Sequence, residues 1–139
     1  MFEVLDISAS ALTAQRANMD TIAGNVANKE ATRDARGLPN PYRRRVPLFA
    51  AGRIENGKVA PGVRIAKIVE DPSPFHLVED PSHPDAIPAG PLRGYVRLPN
   101  VELTTEMVNM MMAQRAYEAN LSVMETAKGM FAASLRLLA

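Results

Sequence analysis

Near the N-terminus, apolar residues recur every seven positions, with one more between the last two. These positions are Leu5, Leu12, Met19, Val26 and the intermediate Ile22. Such spacing is typical of a single apolar face on a helix. Alanine at positions 9, 11, 14, 17, 23 and 27 favours that helix and permits a close approach of a second one. We predict a helix from about Asp6 to Ala27, with Asp6 or Ser8 as the N-cap.

A longer apolar stripe follows spacings of three and four residues through the C-terminal part of the chain. Its apolar members are Met107, Met110, Tyr117, Leu121, Met124, Phe131, Leu135 and Leu138, and the same spacing passes through Gln114 and Lys128. The stripe predicts a helix from near Glu102 to Leu138, about 55 Å long at 1.5 Å per residue. Such length without a stop signal is typical of coiled coils.

The middle of the chain has a different character because all 11 prolines lie between Pro39 and Pro99. Proline inside a helix removes a hydrogen bond and clashes with the preceding turn, so long helices are excluded there. Asn56-Gly57 predicts a hairpin turn between short strands and places Glu55 opposite Lys58. Further strands are predicted at Val63 to Val69, Phe75 to Val78 and Tyr95 to Leu98.

These elements predict a mainly α fold with a β- and turn-rich middle. Residues 1–28 and 101–139 would form a terminal helical domain, paired as a coiled coil, and residues 29–100 a proline-rich β/loop segment. Aromatic residues make up only 5% of the chain and tryptophan is absent, so the core should be thin. Two paired helices of this length would leave apolar surface exposed, and such surface marks interaction sites. The expected assembly interface comprises Leu12, Met19, Ile22, Val26, Met107, Met110, Tyr117, Leu121, Met124, Phe131 and Leu135.

Composition narrows the classes of function. Absence of cysteine excludes disulfides, thiolate metal sites and a cysteine nucleophile. Glu3 and Asp6 occupy the place of the basic segment of a cleavable signal peptide, and no apolar run approaches the ~20 residues of a membrane span. We therefore expect neither a cleaved signal nor direct membrane insertion. The methionine-rich C-terminal stripe is interpreted as core filler or an adaptable interface, because a membrane anchor would carry a more basic polar face.

An acidic segment at positions 68–92 holds five carboxylates, no lysine or arginine, and both His76 and His83. Carboxylates and imidazoles are possible metal ligands. These histidines lack the helical spacing of a zinc signature, and no nucleophile elbow accompanies them. The expectation is no catalytic residue, no cofactor and no metal.

A basic segment precedes the acidic one, with ten basic and three acidic residues at positions 29–67. Its centre is Arg43, Arg44 and Arg45, next to Tyr42. A nucleic-acid patch is one interpretation of this cluster. The acidic segment that follows nearly balances the charge, so we expect these arginines to contact acidic surface, on a neighbouring subunit or within the chain.

Several longer motifs resemble a known family. Residues 6–16 (DISASALTAQR), 22–28 (IAGNVAN) and 114–120 (QRAYEAN) resemble the terminal motifs of flagellar rod, hook and hook-associated proteins. Residues 69–75 (VEDPSPF) and 80–86 (DPSHPDA) narrow the resemblance to proximal rod proteins of the FlgC type. Gly24 and Ala31 differ from the residues usual in that family. The stretch Ile87 to Arg93 resembles a small insertion relative to the family's usual sequence.

The resemblance implies a structural subunit, not an enzyme, that polymerises through its terminal helices in the rod of the flagellar basal body. It implies partners among copies of itself, rod proteins of the FlgB, FlgF and FlgG types, and the FliE-type basal-body protein. It also implies passage through the flagellar type III export apparatus without signal cleavage, to a rod that spans the periplasm. The alternative from another class is a small helical adaptor or export-associated binding module.

Overall fold

The architecture of the chain, taken from a computed structural model that describes residues 2–55 and 58–138, has a long helix at each end. Helix α1 spans Phe2–Ala27 and helix α2 spans Leu103–Leu138. Between them lie two antiparallel strand pairs, β1 (Arg45–Glu55) with β2 (Lys58–Glu70) and β3 (His76–Glu79) with β4 (Tyr95–Leu98). The predicted fold class is confirmed.

Helix α1 ends at Ala27 as predicted but begins at Phe2, four residues before the predicted start. Asp6 and Ser8 therefore lie inside the helix and do not cap it. The apolar spacing had already included Leu5, one residue before the predicted start. An N-cap residue type was thus a weaker guide to the boundary than the apolar pattern.

The two helices pack against each other in antiparallel orientation. Asn25, near the end of α1, hydrogen-bonds to Glu106, near the start of α2, and the helices stay in contact beyond this point. Beside this hydrogen bond, Ile22 of α1 and Ala113 of α2 are buried and line one groove. Small side chains allow two helices to approach closely, as the alanine-rich sequence suggested.

The β1–β2 hairpin is much longer than predicted and packs along α1. The predicted strand at Val63 to Val69 is part of β2, but most of β1 was not predicted because Pro47 and Gly52 interrupt its apolar pattern. Register shifts between Leu48 and Phe49, and around Gly52, absorb these residues as bulges. Gly52 has a φ of +78°, a conformation that favours glycine. Glu55 lies opposite Lys58 as predicted, whereas the predicted Asn56-Gly57 turn is outside the described residues.

The remaining middle segment folds around the short β3–β4 pair. Strand β4 has the predicted bounds, and β3 begins at His76, one residue later than predicted. The stretch Ile87 to Arg93 folds back onto β4, because the Ile87 N–H donates to the Tyr95 carbonyl at 2.9 Å. Arg33 and Asp85 join this loop to the segment after α1 through an ion pair of 2.7 Å.

The core is thin, as the composition predicted. Within the described part of the chain, the buried apolar residues are Ala14, Ile22, Val96, Val101 and Ala113. Large apolar side chains on α2 and on the β1–β2 hairpin remain exposed instead. The fold therefore leaves more apolar surface open than its core encloses.

Candidate assembly surface and the polar junction beside it

The apolar stripe of α1 lies on the side of the helix away from the β1–β2 hairpin. The Ser10 hydroxyl faces the hairpin, where it accepts a hydrogen bond from the Val63 N–H at 3.1 Å. Leu12 is two residues farther on, and two residues turn a side chain by about 200° around an α-helix. Met19 likewise lies two residues beyond Ala17, which lines a groove against the hairpin, so its side chain also points away from the hairpin. Leu12, Met19 and Val26 are each half-buried.

The stripe of α2 runs along the side of that helix that faces α1. Met112 and Ala116 line a groove beside Phe49 of β1, so this side of α2 faces the hairpin. Met110 and Tyr117 are three residues before and four residues after the buried Ala113, so they lie on the side of α2 that carries Ala113 and Glu106 and faces α1. Tyr117 and Leu121 continue from Gln114 at spacings of three and four.

Both predicted stripes therefore run along the contact between α1 and α2, and we call the part of them that stays accessible the stripe face. Met107, Leu121 and Leu135 are exposed, and Met110, Tyr117, Met124 and Phe131 are half-buried. Ile22 differs, because it is buried inside the chain and contributes to the internal core. The stripe face consequently offers mostly methionine, leucine and tyrosine to whatever covers it.

A polar junction lies where α1 ends and α2 begins. Asn25 is 1% exposed, and its amide makes four hydrogen bonds. Its Nδ2 donates to the Arg45 carbonyl at 2.8 Å and to Glu106 Oε2 at 2.9 Å. Its Oδ1 accepts from the Tyr42 hydroxyl at 3.0 Å and from the Arg45 N–H at 2.9 Å. The hydrogen-bonding capacity of this side chain is fully used.

The centre of the polar junction is an ion pair between Glu106 and Arg44. Glu106 is 0% exposed, and its Oε1 accepts from both Nε and Nη2 of Arg44 at 2.8 Å. Arg44 Nη1 also contacts Asp71 Oδ2 at 3.2 Å. Burial lowers the pKa of Arg44, but hydrogen bonds and charge from Glu106 and Asp71 outweigh that effect and raise it. The pKa of Asp71 is lowered, first by hydrogen bonds from Ser73 and then by Arg44.

Asn100 completes the polar junction on the side of the acidic segment. It is 7% exposed, accepts a hydrogen bond from the Arg44 N–H at 2.8 Å, and donates to the carbonyls of Asp71 and Ser73. One cluster of side chains therefore joins the end of α1, the start of β1, the end of β2 and the start of α2.

The three predicted contact arginines have different positions. Arg44 is committed to acidic side chains within the chain. Arg43 lies over the Phe75 ring at 4.4 Å and donates to the carbonyl of Asp71 at 3.0 Å. Arg45 is exposed and stacks at 5.5 Å over Tyr42, whose pKa is raised chiefly by burial.

Sequence reasoning did not single out Asn25, Glu106 or Asn100 as a group. Asn25 was noted only as part of the resemblance motif at residues 22–28. The available signal was a single polar residue within an apolar helical stretch, as Asn25 is between Gly24 and Val26. That signal alone does not identify a partner 81 residues away.

The two histidines take local roles in the acidic segment. His76 is paired with Leu98 in the β3–β4 register, and His83 Nδ1 accepts a hydrogen bond from the Asp85 N–H at 3.0 Å. Across residues 2–55 and 58–138, no three histidine, aspartate or glutamate side chains are grouped so that they could hold a metal ion. In the same ranges, neither helix combines the length and apolar character needed to cross a membrane.

Comparison with known proteins matches both ends of the chain and then nearly all of it. A family described as "Flagella basal body rod protein" matches residues 5–32, and one described as "Flagellar basal body rod FlgEFG protein C-terminal" matches residues 92–137. The flagellar basal-body rod protein FlgC of Borreliella burgdorferi is 41% identical, over 99% of this chain and 97% of its own length. FlgC of Bacillus subtilis is also 41% identical, over 98% and 97%, and that of Aquifex aeolicus is 42% identical, over 94% and 92%. The chain belongs to the FlgC family of flagellar basal-body rod proteins.

Proposed function

We propose that this chain is a structural subunit of the flagellar basal-body rod that polymerises through its stripe face. One observation carries the proposal. The helix pair does not cover its own apolar stripes completely: most of their side chains are half-buried in the single chain, and Met107, Leu121 and Leu135 are exposed. A face of this kind is stabilised when neighbouring subunits cover it, since burying apolar surface is the dominant favourable term in association.

The role is structural and not catalytic. The buried polar residues of the polar junction are hydrogen-bonded to one another, and so they are occupied in holding the fold together. His76 lies in strand β3, and His83 lies in a turn where its ring accepts a hydrogen bond from the Asp85 N–H. Neither contact involves a nucleophilic side chain.

Membership of the family supports contact with other basal-body rod proteins, and the proposal names specific partners among them. Copies of this chain, rod proteins of the FlgB, FlgF and FlgG types, and the FliE-type protein would meet the stripe face. Export would use the flagellar type III apparatus without signal cleavage, and the assembled subunit would lie in the rod across the periplasm.

A charged contact would accompany the apolar one. Arg45 is exposed and Arg43 is held in place by the Phe75 ring, so both present positive charge to a neighbour. Arg44 belongs to the internal network instead. Reversing the charge of Arg45 should weaken assembly more at low salt than at high salt, because salt screens exposed charges over about 8 Å at physiological ionic strength.

The test is complementation of a bacterial strain from which the gene for its own FlgC-type rod protein has been deleted. Expression of this chain, or of the host protein with its terminal helices replaced by those of this chain, should restore swimming in soft agar and basal bodies with complete rods in electron micrographs. An empty vector is the control. A chain that is exported but absent from purified basal bodies, and that instead forms a one-to-one complex with an export component, would favour the adaptor function and contradict the proposal.

A further inference from the structure

The contact between α1 and α2 poses a problem of alignment. Its buried apolar members beside the polar junction are Ile22 and Ala113, and the half-buried, flexible side chains of Met19 and Met110 lie on the same sides of the two helices. Alanine-rich helix surfaces look similar after a shift by one turn, so apolar packing of this kind distinguishes poorly between alignments. Something else must hold α1 and α2 at one relative position along their axes.

The polar junction supplies that discrimination. Asn25 Nδ2 reaches Glu106 Oε2 at 2.9 Å, and both side chains are almost completely buried. A shift by one helical turn moves these groups about 5.4 Å apart. It would leave a buried amide and a buried carboxylate without partners, which is far more costly than exchanging one alanine contact for another. A single buried polar pair in a helical interface is known to select one alignment in this way.

We infer that Asn25, Glu106 and Arg44 form an alignment lock, which fixes the axial register of α1 against α2 and the rotation of α2 about its own axis. Rotation enters because Glu106 points into the chain and is held from two sides, by Asn25 and by the guanidinium of Arg44. Met107 follows Glu106 and is turned about 100° farther round the helix. Holding Glu106 inward therefore keeps Met107, which is 57% exposed, turned outward at the beginning of the stripe.

The lock also ties the β1–β2 hairpin to the helices. Arg44 precedes β1 and Asp71 follows β2, and the guanidinium that binds Glu106 also contacts Asp71 at 3.2 Å. The stripe face and the hairpin are thereby held in one fixed relation. The lock itself is a property of the isolated chain; its importance for assembly rests on the proposed function.

Spin-label distances test the lock directly, because the chain has no cysteine of its own. Asp20→Cys on α1 and Glu125→Cys on α2 place nitroxides at exposed positions. Glu125 lies 14 residues beyond the position opposite Asp20, or about 21 Å along the axis, so this distance responds to sliding. The intact chain should give one narrow distance. Asn25→Leu with Glu106→Leu should keep its helical circular dichroism and show additional distances displaced by about 5 Å.

Two further variants make the result decisive. Arg115→Ala, which removes an exposed ion pair with Glu118 elsewhere on α2, should leave the distance unchanged. Glu106→Gln keeps the size of the side chain and should broaden the distance distribution. A single unshifted distance in the folded double-leucine variant would overturn the lock, and so would loss of helical signal in both Glu106 variants, because the cluster would then act as ordinary core. These measurements use isolated chains, so a failure of complementation would contradict the proposed function without affecting them.

Discussion

Leu121 gives the most direct test of the stripe face. The side chain lies in the middle of the α2 stripe and is 41% exposed in the single chain. Full burial of a leucine stabilises by about 1.5–3 kcal/mol, so covering the remaining 41% contributes about 0.6–1.2 kcal/mol per subunit. Leu121→Ala should therefore weaken assembly by roughly that amount, or about three- to eightfold in affinity.

Leu121→Asp should have a much larger effect because covering it would strip water from a carboxylate. Burial of a charged group without a partner costs several kcal/mol, and about 4 kcal/mol corresponds to a thousandfold loss of affinity. The isolated subunit should tolerate the change better, since the carboxylate can reach water from a position that is already partly exposed. We expect a variant that is expressed and helical but builds no rod.

The matched control is Val123→Asp. Val123 is 50% exposed and lies on the same helix, but two residues turn its side chain about 200° away from Leu121. Swimming in soft agar, purified basal bodies and the thermal midpoint of the isolated chain would be measured for both variants. Normal swimming by Leu121→Asp would remove Leu121 from the interface. Equal loss of rods in both variants would show that the stripe face has no special role.

Three other expectations concern the subunit alone, each followed by urea unfolding. Glu106→Ala should lower the free energy of unfolding by about 3–5 kcal/mol, because it leaves the charge of Arg44 poorly satisfied. Glu118→Ala, in an exposed pair, should lower it by less than about 1 kcal/mol. Equal effects would contradict the importance of the polar junction. Hydrogen bonds from the Arg33 guanidinium lower the pKa of Asp85. The stability that ionised Asp85 contributes is therefore complete above about pH 4 and is lost as the pH falls through the folded-state pKa. Asp85→Asn should flatten part of the loss of stability in acid, and an unchanged dependence of stability on pH would contradict this expectation. At Gly24 an added Cβ would meet no atom within 4 Å, so Gly24→Ala should stabilise α1 by about 0.5–1 kcal/mol. Gly52→Ala should destabilise the chain, because the added Cβ would collide with Val59. Effects of the opposite sign would refute this account of the two glycines.

The helices could be predicted from the sequence because their signals are local and long. Proline is absent from both ends, and apolar spacing persists over many turns, so the bounds of α2 follow closely. The start of α1 at Phe2 was less accessible, since a potential capping residue such as Asp6 can equally well lie within a helix. The same spacing identified which side chains share a face, but it did not distinguish the positions that the facing helix covers from those that it leaves exposed.

That distinction depends on a contact between distant residues. The largest and most regular apolar positions, such as Leu121, suggested the contact between the two helices, yet the buried positions include Ala113 and Glu106. Burial of a glutamate is unfavourable unless a partner is supplied, and its partners come from Asn25 and Arg44, 81 and 62 residues away. No local pattern contains that information. Most of β1 was missed for a related reason, because its bulges at Gly52 are stabilised by pairing with β2.

The combination of a buried polar junction with apolar stripes that stay partly exposed has a consequence for a subunit that meets several different neighbours. If large apolar side chains such as Leu121 fixed the alignment of α1 with α2, any neighbour that displaced them would also disturb the subunit. Here the alignment depends on directional hydrogen bonds at Asn25 and Glu106, which lie beyond a neighbour's reach. The stripe face can then change rotamers to fit each neighbour, and methionine, with its unbranched and flexible side chain, suits that adjustment. Internal alignment and external adaptability are thus assigned to different residues, and the alignment lock allows the methionines of α2 to adapt without loss of the fold.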